Sequence, residues 1–144
     1  MTEPAPAPDA GRAGQPESEP GFALAVAAES LYLVNLLLVP GLAFIVLFVL
    51  WLRHRAAAPL LARNHLRQTV AASFWAAGLL VAANAAIIAL GGYRSPDTWV
   101  VVILYFTTCH STLVCFGALG LARALAGRTY IYPLIGPDEP EIRG

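Results

Sequence analysis

The chain has 144 residues, of which 58% are hydrophobic and 12% charged, and its net charge is zero. Soluble domains carry about 25% charged residues, so this composition argues against a soluble globular protein and favours one embedded in lipid. The nine basic residues, all arginine, are too few for a nucleic-acid interface. We expect the lipid bilayer to be the main partner of the chain.

The first twenty residues differ in composition from the rest. Residues 1–20 contain five prolines and four acidic residues, and such a segment cannot bury enough apolar surface to offset its ordering entropy. We therefore expect a disordered tail. The mildly apolar stretch 21–30 ends in Glu29-Ser30. Joined to the next apolar run it would form a helix of about 46 Å, longer than a hydrocarbon core of about 30 Å, so we interpret it as a surface-lying or bent lead-in.

Three apolar runs follow, at about 31–52, 68–90 and 98–121, and none contains Asp, Glu, Lys or Arg. Each is long enough to cross a bilayer as a helix, which pairs its backbone groups internally. The sequence therefore predicts an all-α membrane protein with three transmembrane helices, in one domain over residues 21–136 with a C-terminal tail at 137–144. Pro40-Gly41 lies inside the first run and predicts a kink there.

The segment before the second run, residues 59–67, predicts a short amphipathic joint at the cytoplasmic surface. Pro59 suits a helix start, and three leucines would face lipid: Leu60, Leu61 and Leu66. The polar side of this joint would face headgroups or the cytoplasm through Arg63, Asn64, His65 and Arg67.

The arginines predict an orientation. Four of them lie in the 53–67 loop, and Arg123 and Arg128 follow the third run, whereas the other side has only Arg12 and Arg94. The positive-inside rule then places the 53–67 loop and the C-terminus in the cytoplasm. With three spans, the N-terminus and the loop 91–97 then lie on the outer side of the membrane. The expected location of the protein is the inner membrane of a bacterium.

Small residues line one side of the second run at intervals of four: Gly78, Ala82 and Ala86. Such a ridge lets another backbone approach closely. The ridge could pack within the monomer, or contact a membrane-protein partner or a second copy.

Polar side chains inside the runs predict an intramembrane cluster of Asn35, Asn84, Tyr105, Thr107 and His110. Asn35 and Asn84 fall at similar depth, so we expect a mutual hydrogen bond, because an unpaired amide in lipid is costly. His110 is interpreted as a neutral imidazole bonded to Thr107 or to a neighbouring helix; the alternatives are a proton relay or a haem ligand shared across a dimer. The sequence pairs no nucleophile with a base, so we expect no enzyme, cofactor or metal.

Residues 31–136 resemble the bacterial Tic-twenty-like family of small membrane proteins, a domain of unknown function. The resemblance is carried by Pro-Gly within a first span that ends in WLRHR, by the joint PLLARNHLRQTV (59–70), and by the ending GRTYIYPLIG (127–136). His65 corresponds to the family's histidine at the joint. The chloroplast relatives have four spans in a protein-import complex, and no enzymatic activity is implied.

The leading hypothesis is a non-catalytic accessory or structural protein that works through helix–helix contacts. The alternatives are a multi-copy transport or pore component, and a haem-binding electron carrier that uses His110.

Overall fold

The structure is a computed structural model that describes residues 15–138, and every regular element in this range is helical. The predicted tail therefore falls mostly outside the described residues, as do positions 139–144. Within the described part of that tail, Pro16–Ser18 form a short 3-10 helix. Pro16 and Glu19 lie against Gly127, near the other end of the chain.

The first apolar run folds back on itself. Helix α1 spans Phe22–Leu37 and helix α2 spans Leu42–His54. Pro40 has no amide hydrogen to continue α1, and Gly41 adopts a φ of +85°, which favours glycine. The Gly41 amide donates to Asn35 Oδ1 at 2.9 Å. Together these residues turn the chain, so Pro40-Gly41 forms the tip of a helical hairpin and not a kink.

The two long helices follow the hairpin. Helix α3 spans Leu60–Ala89 and starts directly after Pro59, as the sequence predicts. Helices α4 (Asp97–Leu104) and α5 (Ser111–Leu125) are joined without a break by a π-helical segment, Tyr105–His110. Four hydroxyl groups in and after this segment donate to backbone carbonyls of preceding residues, a pattern that distorts helices: those of Thr107, Thr108, Ser111 and Thr112.

Two helices, Leu60–Ala89 and Asp97–Leu125, are long and apolar enough to cross a membrane, whereas α1 and α2 are shorter. The prediction of three transmembrane helices is therefore wrong in number. Hydropathy could not distinguish one spanning helix from two half-length helices over residues 31–52. Either arrangement buries the same apolar side chains, and this stretch contains no charged residue.

The hairpin reverses the predicted relation between the two ends of the chain. Gly21 lies against Pro59 and Ala62 at the start of α3, and Gly127 lies against Pro16. The described N-terminal residues therefore share one end of the bundle with the 55–59 turn and the end of α5. The sequence analysis had placed them at opposite ends, because it counted one crossing where the chain turns back.

Replacing Gly41 by alanine is expected to destabilise the protein by about 1–3 kcal/mol, the usual cost of a strained backbone conformation. No atom lies within 4 Å of a Cβ at Gly41, so the cost comes from the backbone alone. The measurement is the free energy of unfolding in mild detergent.

Gly78→Ala is the matched control, since a Cβ there also meets nothing within 4 Å. Gly78 lies in the interior of α3, where alanine is favoured over glycine by up to about 1 kcal/mol. The two substitutions should therefore shift stability in opposite directions, and equal shifts would contradict the hairpin turn at Gly41.

Candidate functional site

A buried polar cluster joins α1, α3 and the segment that follows α5. Its centre is the Glu29 carboxyl group, which is fully buried. Glu29 Oε1 lies 2.6 Å from His65 Nδ1, and Glu29 Oε2 accepts a hydrogen bond from the Tyr132 hydroxyl at 2.5 Å. Burial raises the pKa of the Tyr132 phenol, and the adjacent Glu29 raises it further. The phenol therefore stays protonated and acts as the donor.

Helix α3 holds the C-terminal segment 128–137 through three side chains that point to the same side. Asn64 Oδ1 accepts from the Tyr130 amide at 2.9 Å, and His65 Nε2 lies 3.0 Å from the Arg128 carbonyl oxygen. Gln68 binds twice, since its Oε1 accepts from the Tyr132 amide at 3.2 Å and its Nε2 donates to the Pro137 carbonyl at 2.8 Å. The side chains thus pair backbone groups of a segment that has no regular structure of its own.

Helix α5 makes room for α1 through two glycines. A Cβ at Gly120 would lie 2.7 Å from Glu29 Cδ, and a Cβ at Gly117 would lie 2.8 Å from Tyr32 Cδ1. Neither distance is compatible with a side chain, so both positions require glycine. The Tyr32 hydroxyl also donates to the Leu113 carbonyl at 3.2 Å, which ties α1 to α5 above the carboxyl group.

The predicted joint is the first part of α3 and not a separate surface element. Asn64 and His65 are fully buried, and Leu61 and Leu66 pack inside the protein instead of facing lipid. The prediction that His65 faces headgroups or the cytoplasm is wrong, because Glu29 and the segment 128–137 cover it. Arg63 is half-buried and Arg67 is exposed.

The predicted intramembrane cluster is only partly assembled. Asn35, Tyr105 and His110 line one cavity of about 410 Å³ beside the hairpin tip. Asn84 is bonded elsewhere, to the Leu80 carbonyl and to the Tyr93 hydroxyl. Since Asn35 Oδ1 accepts from Gly41, the predicted bond between Asn35 and Asn84 is replaced by these partners.

His110 lies half-buried at the end of the π-helical segment. Its ring stands 5.2 Å from the Phe106 ring and 6.3 Å from the Tyr105 ring, measured between centroids. The Thr107 hydroxyl donates to the Ile103 carbonyl at 2.7 Å, and not to the His110 ring. Within residues 15–138, no group of three His, Cys, Asp or Glu side chains is placed to hold a metal ion.

Sequence reasoning did not assign Glu29, Gln68 or Tyr132 to a site. Glu29 was treated as the polar end of a lead-in, although an acid inside an apolar run is itself a signal of a buried partner. The partners lie 36 and 103 residues away along the chain. No local pattern connects such distant positions.

Comparison of the chain with protein-family models, with characterised proteins and with solved structures gives no match. The geometry of the buried cluster and of the helix surfaces therefore carries the functional argument.

Replacing either Glu29 or His65 by leucine is expected to destabilise the protein by about 3–5 kcal/mol, because one buried polar partner is left uncompensated. The double variant should cost clearly less than the sum of the two single ones. Free energies of unfolding in mild detergent measure this coupling. His110→Leu is the control and should stay within about 0.5 kcal/mol; an additive double variant would contradict the pairing.

Proposed function

We propose that this chain is a small, non-catalytic protein of the bacterial inner membrane that acts by helix–helix association with a membrane-protein partner or a second copy. The buried cluster is a structural joint in this proposal, since the Glu29 carboxyl group binds both His65 and Tyr132. The association surface lies on the two long helices.

The open ridge on α3 carries the proposal. Within residues 15–138, no atom lies within 4 Å of a Cβ built at Gly78, and Gly78 and Ala82 are both exposed. Packing within the monomer therefore does not use this part of the ridge. The flanking apolar side chains are open as well, since Val81 and Ile88 are each 68% exposed. A helix that approached here would gain close backbone contact along the small residues.

Membership of the Tic-twenty-like family is part of the proposal. The joint 59–70 and the ending 127–136, two of the features that carry the resemblance, touch each other through His65 and Arg128. Two motifs that are distant in the sequence but in contact in the structure are better explained by a fold shared with the family than by a chance similarity. The family's domain has no assigned function, so the resemblance supports a membrane location and no catalysis.

The orientation follows from the arginines together with the hairpin. Arg53 and Arg55 end α2, and Arg123 and Arg128 lie at the end of α5, which is the same end of the bundle. The positive-inside rule favours the cytoplasm for this end. Residues 15–21 then lie in the cytoplasm too, and the loop 91–97 faces the periplasm.

A membrane-impermeant maleimide tests this orientation on intact cells, in a chain whose Cys109 and Cys115 are replaced by alanine. Tyr93→Cys in the loop should be labelled directly. Ser18→Cys and Leu134→Cys should be labelled only after the membrane is permeabilised, and the two should behave alike. Direct labelling of Ser18→Cys on intact cells, without labelling of Leu134→Cys, would restore the three-span topology.

Gly78→Ile is expected to weaken association at least about tenfold, or about 1.4 kcal/mol, because the side chain holds the second helix away. Ala118→Ile is the matched control, because Ala118 is an exposed position on α5.

Energy transfer between labelled copies in liposomes measures self-association. Cross-linking through Ala82→Cys in native membranes measures a partner. If Gly78→Ile reduces neither signal, or Ala118→Ile reduces them equally, the proposal fails.

A further inference from the structure

The His65 imidazole lies between two oxygen atoms. Its Nε2 is 3.0 Å from the Arg128 carbonyl oxygen, and its Nδ1 is 2.6 Å from Glu29 Oε1. A backbone carbonyl can only accept a hydrogen bond, so Nε2 must carry a hydrogen. In a neutral imidazole the other nitrogen, Nδ1, then has only a lone pair.

The contact between Nδ1 and Glu29 requires one more proton. Two lone pairs at 2.6 Å would repel each other, whereas a proton between them forms a hydrogen bond. That proton can sit on Nδ1, as an imidazolium beside a carboxylate, or on Oε1, as a carboxylic acid beside a neutral imidazole. Both forms have no net charge, and the proton belongs to the pair.

We propose that Glu29 and His65 form a proton-binding site, and that the bound proton fixes the C-terminal segment 128–137 to α3. When the proton leaves, the imidazole keeps one hydrogen and faces two acceptors. The charged carboxylate is the stronger acceptor, so the hydrogen moves to Nδ1. Nε2 then presents a lone pair to the Arg128 carbonyl, and this repulsion releases the segment. The proton passes to water at the end of the bundle, where Arg128 is exposed.

The groups around the pair leave it to titrate as a unit. Helix α2 contributes apolar side chains such as Leu47 to the adjoining core. Helix α5 meets the carboxyl group with Gly120, which has no side chain. Ionisable side chains that act on the pair or on its partners include three phenols and one guanidinium: Tyr32, Tyr130, Tyr132 and Arg123.

The sign of the pH effect follows from the proton count. With the segment bound, the pair holds its proton, and with the segment released it holds one proton fewer. Attachment of the segment is therefore strongest at low pH and weakens as pH rises. One proton corresponds to about a tenfold change per pH unit.

Hydrogen exchange at the Tyr130 and Tyr132 amides tests the proposal, because Asn64 and Gln68 protect these amides only while the segment is bound. In the full chain in mild detergent, protection factors at both amides should fall as pH rises from about 5 to about 8, by up to about tenfold per pH unit. Protection that stays constant over this range would overturn the proposal.

Glu29→Gln is the matched variant. A glutamine amide can donate to Nδ1 of a neutral imidazole and still accept from Tyr132, so it keeps every bond without the dissociable proton. Protection in Glu29→Gln should not depend on pH, and a decline like that of the wild type would refute the site.

A second measurement on the wild type does not depend on how that variant folds. The ¹⁵N resonances of His65 should report loss of the proton at the pH at which the protection of Tyr130 and Tyr132 stops falling. Loss of the proton at a clearly different pH would show that the segment is released for another reason and would overturn the proposal.

Discussion

The hydrogen-bonded Glu29 carboxyl group is the constraint on which the rest of the structure depends. A carboxyl group that is fully buried must find donors, because burial without them is strongly unfavourable. The donors are His65 on α3 and Tyr132 after α5, and the space is provided by Gly120 on α5. Since these groups lie near the start of α3 and the end of α5, α1 has to begin at that end of the bundle. The fold-back of the first apolar run follows from this.

The hairpin reaches only part of the way along the long helices. Its tip lines a cavity with Ala77, which lies ten residues beyond Arg67, or about 15 Å along α3. That distance is about half of a hydrocarbon core of about 30 Å. Beyond the tip, large apolar side chains of α3 and α4 remain exposed within residues 15–138, as at Ile88 and Trp99. The open Gly78 ridge begins in this uncovered half of the bundle. The proposed association surface is therefore exposed because the hairpin is short.

Composition and hydropathy predicted the helical class, the two long helices and the helix start after Pro59. They did not predict the hairpin, because a kinked span and a turn at Pro40-Gly41 share the same local sequence. Only some residues of the site were predicted. Asn64 and His65 were singled out, yet their burial depends on the distant segment 128–137, which no periodicity connects to α3. His110 drew attention as an ionisable group inside an apolar run. Glu29 has the same property, but it was assigned to a lead-in because a helix that included it would be longer than a bilayer core.

The 103 residues between Glu29 and Tyr132 separate the two partners in time as well as in space. At a synthesis rate of about 5–20 residues per second, roughly 5–20 s pass between the appearance of the acid and that of the phenol that binds it. His65 is made earlier, but 63 residues separate it from the Arg128 carbonyl that orients it. Until Tyr132 has been made, the Glu29 carboxyl group therefore lacks one of its two donors. A chain that stops before residue 128 would leave Glu29 and His65 without the segment that covers them, so synthesis of this segment completes the attachment of the hairpin to α3.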